Sequence, residues 1–221
     1  MLPNSFFGGY IMGHIVCFGD SNTWGLWPEG MGRYDKDTRW PGILRNTFDE
    51  NKYLIVEEGL NGRTANEIDE DEPYLNGMDY AEACLLSHRC IDILIVMLGN
   101  NDIKARYGKN AEQVADSIEG LVKHMQRVLN EKQPEPYSVI LISPKGLDER
   151  ILGDGTFDEE SIAKSHELGS YLSERAKKAG WYFVDADIPE VGLSCDGLHL
   201  AKSGHAKIAE MVIEIIEQIS C

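Results

Sequence analysis

The stretch that decides the fold is IVCFGDSNTWG, residues 15–25. Four apolar residues end abruptly at Gly19-Asp20-Ser21. An apolar run without alternation is typical of a strand that is buried on both faces of a parallel sheet. A small residue, a carboxylate and a hydroxyl directly after such a strand favour a tight turn into a helix. The sequence therefore predicts a central strand with Ser21 at the turn that follows it.

Further apolar runs recur along the chain, with helical patterns between them. Apolar side chains at three- and four-residue spacing predict helices over residues 114–129 and 208–219. In residues 156–180, Thr156 and Glu159 predict a capping box, and Gly180 predicts the end of the helix. Alternating strands and helices predict an α/β fold with a parallel sheet covered on both faces. The predicted strands are residues 14–18, 53–58, 91–98, 138–143 and 181–186.

Composition narrows the classes of partner. The chain has 221 residues, of which 43% are hydrophobic, so it is long enough to bury one sizeable core. Its 21 Lys and Arg against 37 Asp and Glu give a formal charge of -16. Such a charge repels nucleic-acid phosphates and anionic lipids, so neither nucleic acid nor a membrane surface is an expected partner.

The cysteines and the first residues bear on compartment and domain organisation. The five cysteines are odd in number and include no C-x-x-C pair and no Cys/His set at zinc spacing, which favours a reduced, cytoplasmic compartment. Residues 1–13 lack the basic leading region of a secretory signal. We expect them to be an N-terminal extension of a single domain over residues 14–221.

Polar and glycine-rich segments follow four of the predicted strands. In a parallel sheet, ligands bind outside the carboxyl ends of the strands. The segments are GDS at residues 19–21, GLNGRT at 59–64, GNND at 99–102 and DGLH at 196–199. The sequence therefore predicts that these four segments meet at one edge of the sheet.

The chemistry that needs these residue types is acyl transfer through a serine nucleophile. A hydroxyl needs a base within hydrogen-bond reach, and the base needs a group that fixes its tautomer. Ser21, His199 and Asp196 supply these three parts. The tetrahedral intermediate also needs donors for its oxyanion, and we expect them to be the backbone N–H groups of Ser21 and Gly62 and the side-chain amide of Asn101.

The blocks FGDSNTWG, GLNGRT, LGNND and DGLHL resemble, in order and spacing, the four signature blocks of the SGNH hydrolases, also called GDSL-type esterases. The resemblance is strongest to the arylesterase and acyltransferase branch, and it runs from about residue 14 to the C-terminus. It implies a flavodoxin-like three-layer α/β/α fold of about five parallel strands. It also implies Ser21 as nucleophile, Asp196 and His199 as the other triad members, and Ser21, Gly62 and Asn101 as oxyanion donors. Asn22 departs from the family pattern, which has Leu there, and Leu200 stands where many members have Pro.

Residues close to the predicted catalytic residues in the sequence are expected to have supporting or structural positions. Trp24 is expected to line an acyl pocket beside Ser21, although a core position is nearly as compatible with the sequence. Asp20 and Asp102 are expected to brace their turns. Cys195 is interpreted as a packed thiol. His205 is interpreted as a surface residue of the last helix.

The sequence thus predicts a serine esterase that acts on small-molecule, short-acyl esters, with acyl transfer to alcohols as a second outcome. No metal or organic cofactor is required by this chemistry. A carbohydrate O-acetylesterase or a thioesterase with the same triad remains an alternative. A non-catalytic flavodoxin-like binding module is the alternative from another class, although neither a Walker sequence nor G-x-G-x-x-G is present. The resemblance leaves self-association open.

Overall fold

The structure is a computed structural model that describes residues 13–219. Its strands are β1 (Gly13–Gly19), β2 (Leu26–Trp27), β3 (Gly32–Arg33), β4 (Tyr53–Gly59), β5 (Ile91–Met97), β6 (Ser138–Ser143) and β7 (Tyr182–Asp185). Five of them form one parallel sheet in the order β4-β1-β5-β6-β7, while β2 and β3 form a separate antiparallel hairpin. This order is the one found in flavodoxin-like folds. The predicted parallel sheet is confirmed. The expected extension over residues 1–13 lies outside the described residues except for Gly13, with which β1 begins.

Helices cover both faces of the sheet. They are α1 (Ser21–Trp24), α2 (Trp40–Thr47), α3 (Gly77–His88), α4 (Ala111–Lys132), α5 (Glu159–Ala179) and α6 (Lys202–Ile219). One buried cluster joins the sheet to α3, α4 and α5, and a second joins its other face to α2 and α6. The result is the expected three-layer α/β/α fold. None of the helices in residues 13–219 is long and apolar enough to cross a membrane.

Strand β1 explains why its sequence does not alternate. Val16 and Phe18 belong to the first buried cluster, whereas Ile15 and Cys17 belong to the second. All four side chains are fully buried because β1 has a strand on each side and a helical layer on each face. The strand therefore holds the turn that follows it, at Ser21, in the middle of the sheet edge.

The start of α5 differs from the prediction. Thr156 does not cap the helix, because α5 begins at Glu159, three residues further on. Asp158 caps it instead and forms a capping box with Ser161. The predicted end at Gly180 is confirmed, since this residue is the C-cap in the left-handed conformation. The helices α2 and α3 and the β2–β3 hairpin were not predicted from the sequence.

Candidate active site

A one-turn helix presents Ser21 at the carboxyl end of β1. Asp20 caps α1 by accepting a 2.9 Å hydrogen bond from Asn22 N at Oδ1, which is the bracing role predicted for it. The turn is tight, because a Cβ at Gly19 would lie 2.1 Å from Thr23 Oγ1 and 2.8 Å from the carbonyl oxygen of Met97. Glycine is therefore required immediately before Asp20-Ser21. We call residues 19–25 the nucleophile turn.

The structure brings Ser21, His199 and Asp196 into one line. His199 Nε2 lies 2.9 Å from Ser21 Oγ, and His199 Nδ1 lies 2.6 Å from Asp196 Oδ2. A carboxylate can only accept, so Nδ1 carries the ring proton of neutral His199 and Nε2 is left as the acceptor for the Ser21 hydroxyl. The arrangement can therefore take a proton from Ser21.

Asp196 holds both the ring of His199 and the loop around it. Its Oδ1 accepts hydrogen bonds from the backbone N–H groups of His199, at 3.0 Å, and Leu198, at 3.1 Å. Burial raises the pKa of Asp196, but the hydrogen bonds from His199 and Leu198 outweigh it and lower the pKa to about 2. Asp196 is therefore ionised at neutral pH, as it must be to stabilise a charged imidazole.

Asn22 clamps this loop to the nucleophile turn. Its Oδ1 accepts from Leu200 N at 2.8 Å, and its Nδ2 donates to the carbonyl oxygen of Leu198 at 3.4 Å. The backbone of residues on both sides of His199 is thus tied to the residue that follows Ser21. Sequence reasoning treated Asn22 only as a departure from the family pattern, and only the long-range contacts show this bridging position.

Two charged residues hold the same loop from outside. Glu29 Oε1 accepts from Ser194 Oγ at 2.5 Å and from Cys195 N at 3.2 Å. Arg150 Nη1 donates to the carbonyl oxygen of Ser194 at 2.6 Å. The interpretation of Cys195 as a packed thiol is wrong, because the loop between these anchors turns its side chain outward and leaves it exposed. We call residues 194–200 the acid–base loop.

Donor groups gather beside Ser21. Gly62 has a φ of +82°, a conformation that favours glycine. Within residues 13–219, the backbone N–H groups of Ser21 and Gly62 have no protein acceptor. Asn101 Nδ2 donates one hydrogen to the carbonyl oxygen of Arg63 at 3.2 Å, which leaves its second hydrogen free. Asp102 Oδ1 accepts from Ala65 N at 2.7 Å and so braces the loop beside Asn101, as predicted.

A cavity of about 300 Å³ opens over these groups. Besides Ser21, Gly62, Asn101 and His199, it is lined by Leu26, Asn61, Lys104, Ile151, Asp154, Thr156, Phe157 and Leu198. Trp24 lies in a neighbouring cavity of about 340 Å³ that shares only Leu26 and Asn61 with the first. A direct role for Trp24 in the acyl pocket therefore stays a prediction.

His205 is not a surface residue, and that interpretation is wrong. It is fully buried on the inner side of α6, where its Nδ1 lies 3.4 Å from Trp40 N and its ring packs edge-on against Tyr34. Burial, together with the positive charges of His199 and Arg39, lowers the pKa of His205 to about 3. The signal was present in the sequence, because His205 precedes the buried Ile208 and Val212 by three and seven residues.

One group of side chains in the described residues could hold a metal ion, and it lies away from this cavity. The ligand atoms of Glu58, Cys84 and His88 all lie within 4.8 Å of one another. His88 Nε2 is 2.7 Å from Glu58 Oε1, and Tyr80 donates to Glu58 Oε2 at 3.1 Å. No residue of the group lines the cavity over Ser21. Sequence spacing missed it because Glu58 comes from β4 whereas the other two lie on α3.

Comparisons with known proteins agree with this geometry. The family model for the GDSL-like lipase/acylhydrolase family matches residues 17–207. The native aryl esterase of M. smegmatis has a similar structure, with a TM-score of 0.82, 30% identity, and coverage of 93% of this chain and 99% of that one. Est24, a carbohydrate acetylesterase from Sinorhizobium meliloti, gives a TM-score of 0.80, 30% identity, and coverage of 92% and 99%. A search of curated proteins gives no match.

A parallel sheet that carries a hydroxyl, an imidazole and a carboxylate in line at its carboxyl edge defines an α/β serine hydrolase. Its chemistry is that of a carboxylic ester hydrolase, in agreement with the esterases to which it is similar. The chain belongs to the GDSL-like lipase/acylhydrolase family, within which it resembles the SGNH esterases.

Proposed function

We propose that this enzyme hydrolyses short-acyl esters of small molecules through an acyl-enzyme on Ser21, with Asp196 and His199 completing the triad. The single observation that carries the proposal is the unbroken line of contacts, 2.9 Å from Ser21 Oγ to His199 Nε2 and 2.6 Å from His199 Nδ1 to Asp196 Oδ2. These distances are within the range required for proton transfer from a serine nucleophile.

In the first step, Ser21 Oγ attacks the ester carbonyl carbon while its proton passes to His199 Nε2. The oxyanion of the tetrahedral intermediate accepts hydrogen bonds from Ser21 N–H, Gly62 N–H and the free hydrogen of Asn101 Nδ2. As the intermediate collapses, His199 returns the proton to the departing alkoxide, which leaves as the alcohol.

In the second step, His199 takes a proton from a water molecule, whose oxygen attacks the acyl-enzyme. The second tetrahedral intermediate uses the same three donors, and its collapse releases the acid as the proton returns to Ser21 Oγ. An alcohol that replaces water in this step gives acyl transfer. We include acyl transfer because Leu26, Phe157 and Leu198 give the cavity an apolar lining that favours an alcohol over water.

The size of the cavity supports a small substrate. A volume of about 300 Å³ is at the lower end of small-molecule sites, which span about 300–1,000 Å³. Ester substrates with acetyl or butyryl groups fit such a space, which supports a preference for short acyl groups.

A carbohydrate acetyl ester is the second candidate substrate. The similarity to Est24 favours it, as do the polar side chains of Asn61, Asp154 and Thr156 at the cavity. The thioester alternative has no comparable observation in its favour. Family membership and the esterase neighbours favour an enzyme over a flavodoxin-like binding module. Self-association remains an expectation from the family resemblance.

Turnover of 4-nitrophenyl acetate, butyrate and octanoate by the wild type and by Ser21→Ala tests the proposal. We expect the rate to fall from acetate or butyrate to octanoate, and we expect Ser21→Ala to be inactive on all three. Wild-type rates in the Ser21→Ala variant would reject Ser21 as nucleophile. A second assay with vinyl acetate and benzyl alcohol in buffer measures benzyl acetate, and its absence at every alcohol concentration would remove acyl transfer from the proposal.

A further inference from the structure

Lys104 is the one cationic side chain in the lining of the cavity over Ser21. It lies three residues after Asn101, on the same loop. Its ammonium group makes no hydrogen bond and no ion pair with any residue in the described range 13–219. A lysine in the lining of an active-site cavity, with no carboxylate within 4 Å of its ammonium group, needs a physical explanation.

Other lysines show how unusual this is. Four further lysines in the described residues are at least partly buried, and each lies within 4 Å of a carboxylate. The lysines that lack a carboxylate partner are all exposed, apart from Lys104. The four pairs are Lys109–Glu67, Lys145–Asp187, Lys164–Glu160 and Lys207–Glu210. Among the lysines of residues 13–219, Lys104 alone is partly buried without a carboxylate within 4 Å.

Four acidic groups near Lys104 do not pair with it. Asp69 is paired with Arg106. Asp20 and Asp102 are buried, and burial raises their pKa values to about 6 and about 7, so Asp102 is partly protonated at neutral pH whereas Asp20 stays mostly ionised. Asp154 lies at the exposed mouth of the cavity, where its Oδ1 accepts from Thr156 N at 2.8 Å. None of these four carboxyl groups forms an ion pair with the ammonium group.

Burial carries a cost for this cation. Burial, followed by the nearby charge of Arg106, lowers the pKa of Lys104, and the more distant charges of Asp69, Asp20 and Asp102 offset this effect only in part. An unpaired charge that is partly removed from water destabilises the folded protein. The chain has 37 Asp and Glu residues, yet in residues 13–219 none of them lies within 4 Å of the Lys104 ammonium group. A bound ligand with a negative group would complete the missing pair.

We infer that Lys104 makes the enzyme selective for esters that carry a carboxylate a few atoms from the scissile bond. This inference rests on the proposed esterase function of the same cavity. The ammonium group would donate charge-assisted hydrogen bonds to the substrate carboxylate while the ester carbonyl lies against Ser21 and the oxyanion donors. The carboxylate can belong to the acyl group, as in a monoester of a dicarboxylic acid, or to the alcohol, as in an acylated hydroxy acid.

Two pairs of substrates of matched size distinguish a carboxylate on the acyl group from a carboxylate on the alcohol. Monophenyl glutarate and phenyl valerate differ in charge on the acyl side. Sodium 3-acetoxybenzoate and 3-acetoxybenzamide differ in charge on the alcohol side. For each pair, kcat/KM is measured with the spontaneous rate subtracted, in the wild type, Lys104→Met and Lys104→Arg. Lys177→Met, which removes an exposed lysine of α5, is the control.

We expect the wild type to prefer the charged ester in one of the two pairs. That preference should fall by about tenfold or more in Lys104→Met, as befits loss of a hydrogen bond to a charged group. It should persist in Lys104→Arg and in Lys177→Met. The pair that responds identifies the side of the ester that carries the carboxylate.

A wild type that favours the neutral ester in both pairs would overturn the inference. So would a preference that is the same in the wild type and Lys104→Met. Ser21→Ala on the neutral esters separates this failure from that of the proposed function. If Ser21→Ala is inactive and the preference for the charged ester is unchanged in Lys104→Met, only the inferred carboxylate selectivity is wrong. If Ser21→Ala stays active, the esterase mechanism itself is wrong.

Discussion

The nucleophile turn and the acid–base loop are joined by the Ser21–His199 contact and by the two hydrogen bonds of the Asn22 side chain, but they are positioned in different ways. The turn at residues 19–25 is fixed by local contacts, with Asp20 capping α1 and no room for a side chain at Gly19. The loop at residues 194–200 is fixed by contacts from far along the chain. Its bond to Asn22 joins residues 178 positions apart, and its bond to Glu29 joins residues 165 apart. The difference teaches that the position of Ser21 depends on a tightly packed local turn, whereas the position of His199 depends on a small set of polar contacts.

The largest effect should come from removing the Ser21–His199 contact between the two regions. Ser21→Ala and His199→Ala should each lower kcat for 4-nitrophenyl acetate by about 10⁴-fold or more. The double variant should be no worse than either single variant, because triad members act as a unit.

Steady-state kinetics with thermal unfolding checks this expectation. Ser87→Ala removes an exposed serine of α3 and serves as the control for contaminating esterase. If the two losses in kcat multiplied in the double variant, Ser21 and His199 would act independently. The contact between them would then not be the catalytic link between the nucleophile turn and the acid–base loop.

The next largest effect should come from the oxyanion donors. Asn101→Ala should lower kcat by about 10²–10³-fold with little change in KM, because the charge that Asn101 Nδ2 binds develops only in the transition state. Full kinetic curves separate the two constants. An increase confined to KM would instead make Asn101 a substrate-binding residue.

The third prediction sets Gly19→Ala, which tests the packing of the nucleophile turn, against Asn22→Ala, which tests the polar contacts of the acid–base loop. Gly19→Ala should lower the free energy of unfolding by about 1–3 kcal/mol or more, because its Cβ would meet Thr23 Oγ1 and the Met97 carbonyl oxygen. Asn22→Ala should instead act mainly on kcat, by about tenfold, because it frees the loop that orients His199. Urea unfolding and kcat, measured on both variants, distinguish the two effects.

Asn51→Ala, which removes an exposed asparagine whose side chain donates to Asp49, is the matched control and should change stability by less than about 0.5 kcal/mol. If Gly19→Ala folded with wild-type stability, local steric exclusion would not fix the nucleophile turn. If Asn22→Ala kept wild-type kcat, the polar contacts would not be what orients the base.

The smallest effect concerns His205, which lies in α6 just beyond the acid–base loop. Its folded pKa of about 3 is below the ordinary value of 6.5, so between these pH values the unfolded chain binds a proton that the folded protein does not. Stability from this group is fully present above about pH 6.5 and declines as the pH falls towards 3. Urea unfolding at pH 7.5, 6 and 5 should show a steeper loss for the wild type than for His205→Asn. Equal slopes would mean that His205 is accessible to protons in the folded protein.

The parts of this structure that the sequence predicts are those that depend on near neighbours. The five strands of the parallel sheet were placed within one residue of their observed bounds, because β1, β5 and β6 are buried on both faces and their sequences are continuous apolar runs. The grouping of Ser21, His199 and Asp196 followed from the rule that parallel strands present their carboxyl ends at one edge.

The parts that the sequence could not predict depend on distant contacts. The cap of α5 lies at Asp158 rather than at Thr156, partly because Ser161 Oγ also donates to the carbonyl oxygen of Ile103, 58 positions away. The clamp by Asn22 needs partners at residues 198 and 200. The lack of a partner for Lys104 could be seen only when every carboxylate around it had been located.

The clamp at Asn22 also bears on how substrate preference could diverge among descendants of this enzyme. Both of its hydrogen bonds go to backbone atoms, the carbonyl oxygen of Leu198 and the N–H of Leu200. The side chain of Leu198 takes no part in them and lines the cavity over Ser21. Mutation can therefore exchange this side chain and reshape the cavity while the clamp that positions His199 persists. The side chain at position 198 is therefore free to change during evolution, whereas the backbone geometry that Asn22 holds beside His199 must be conserved for activity.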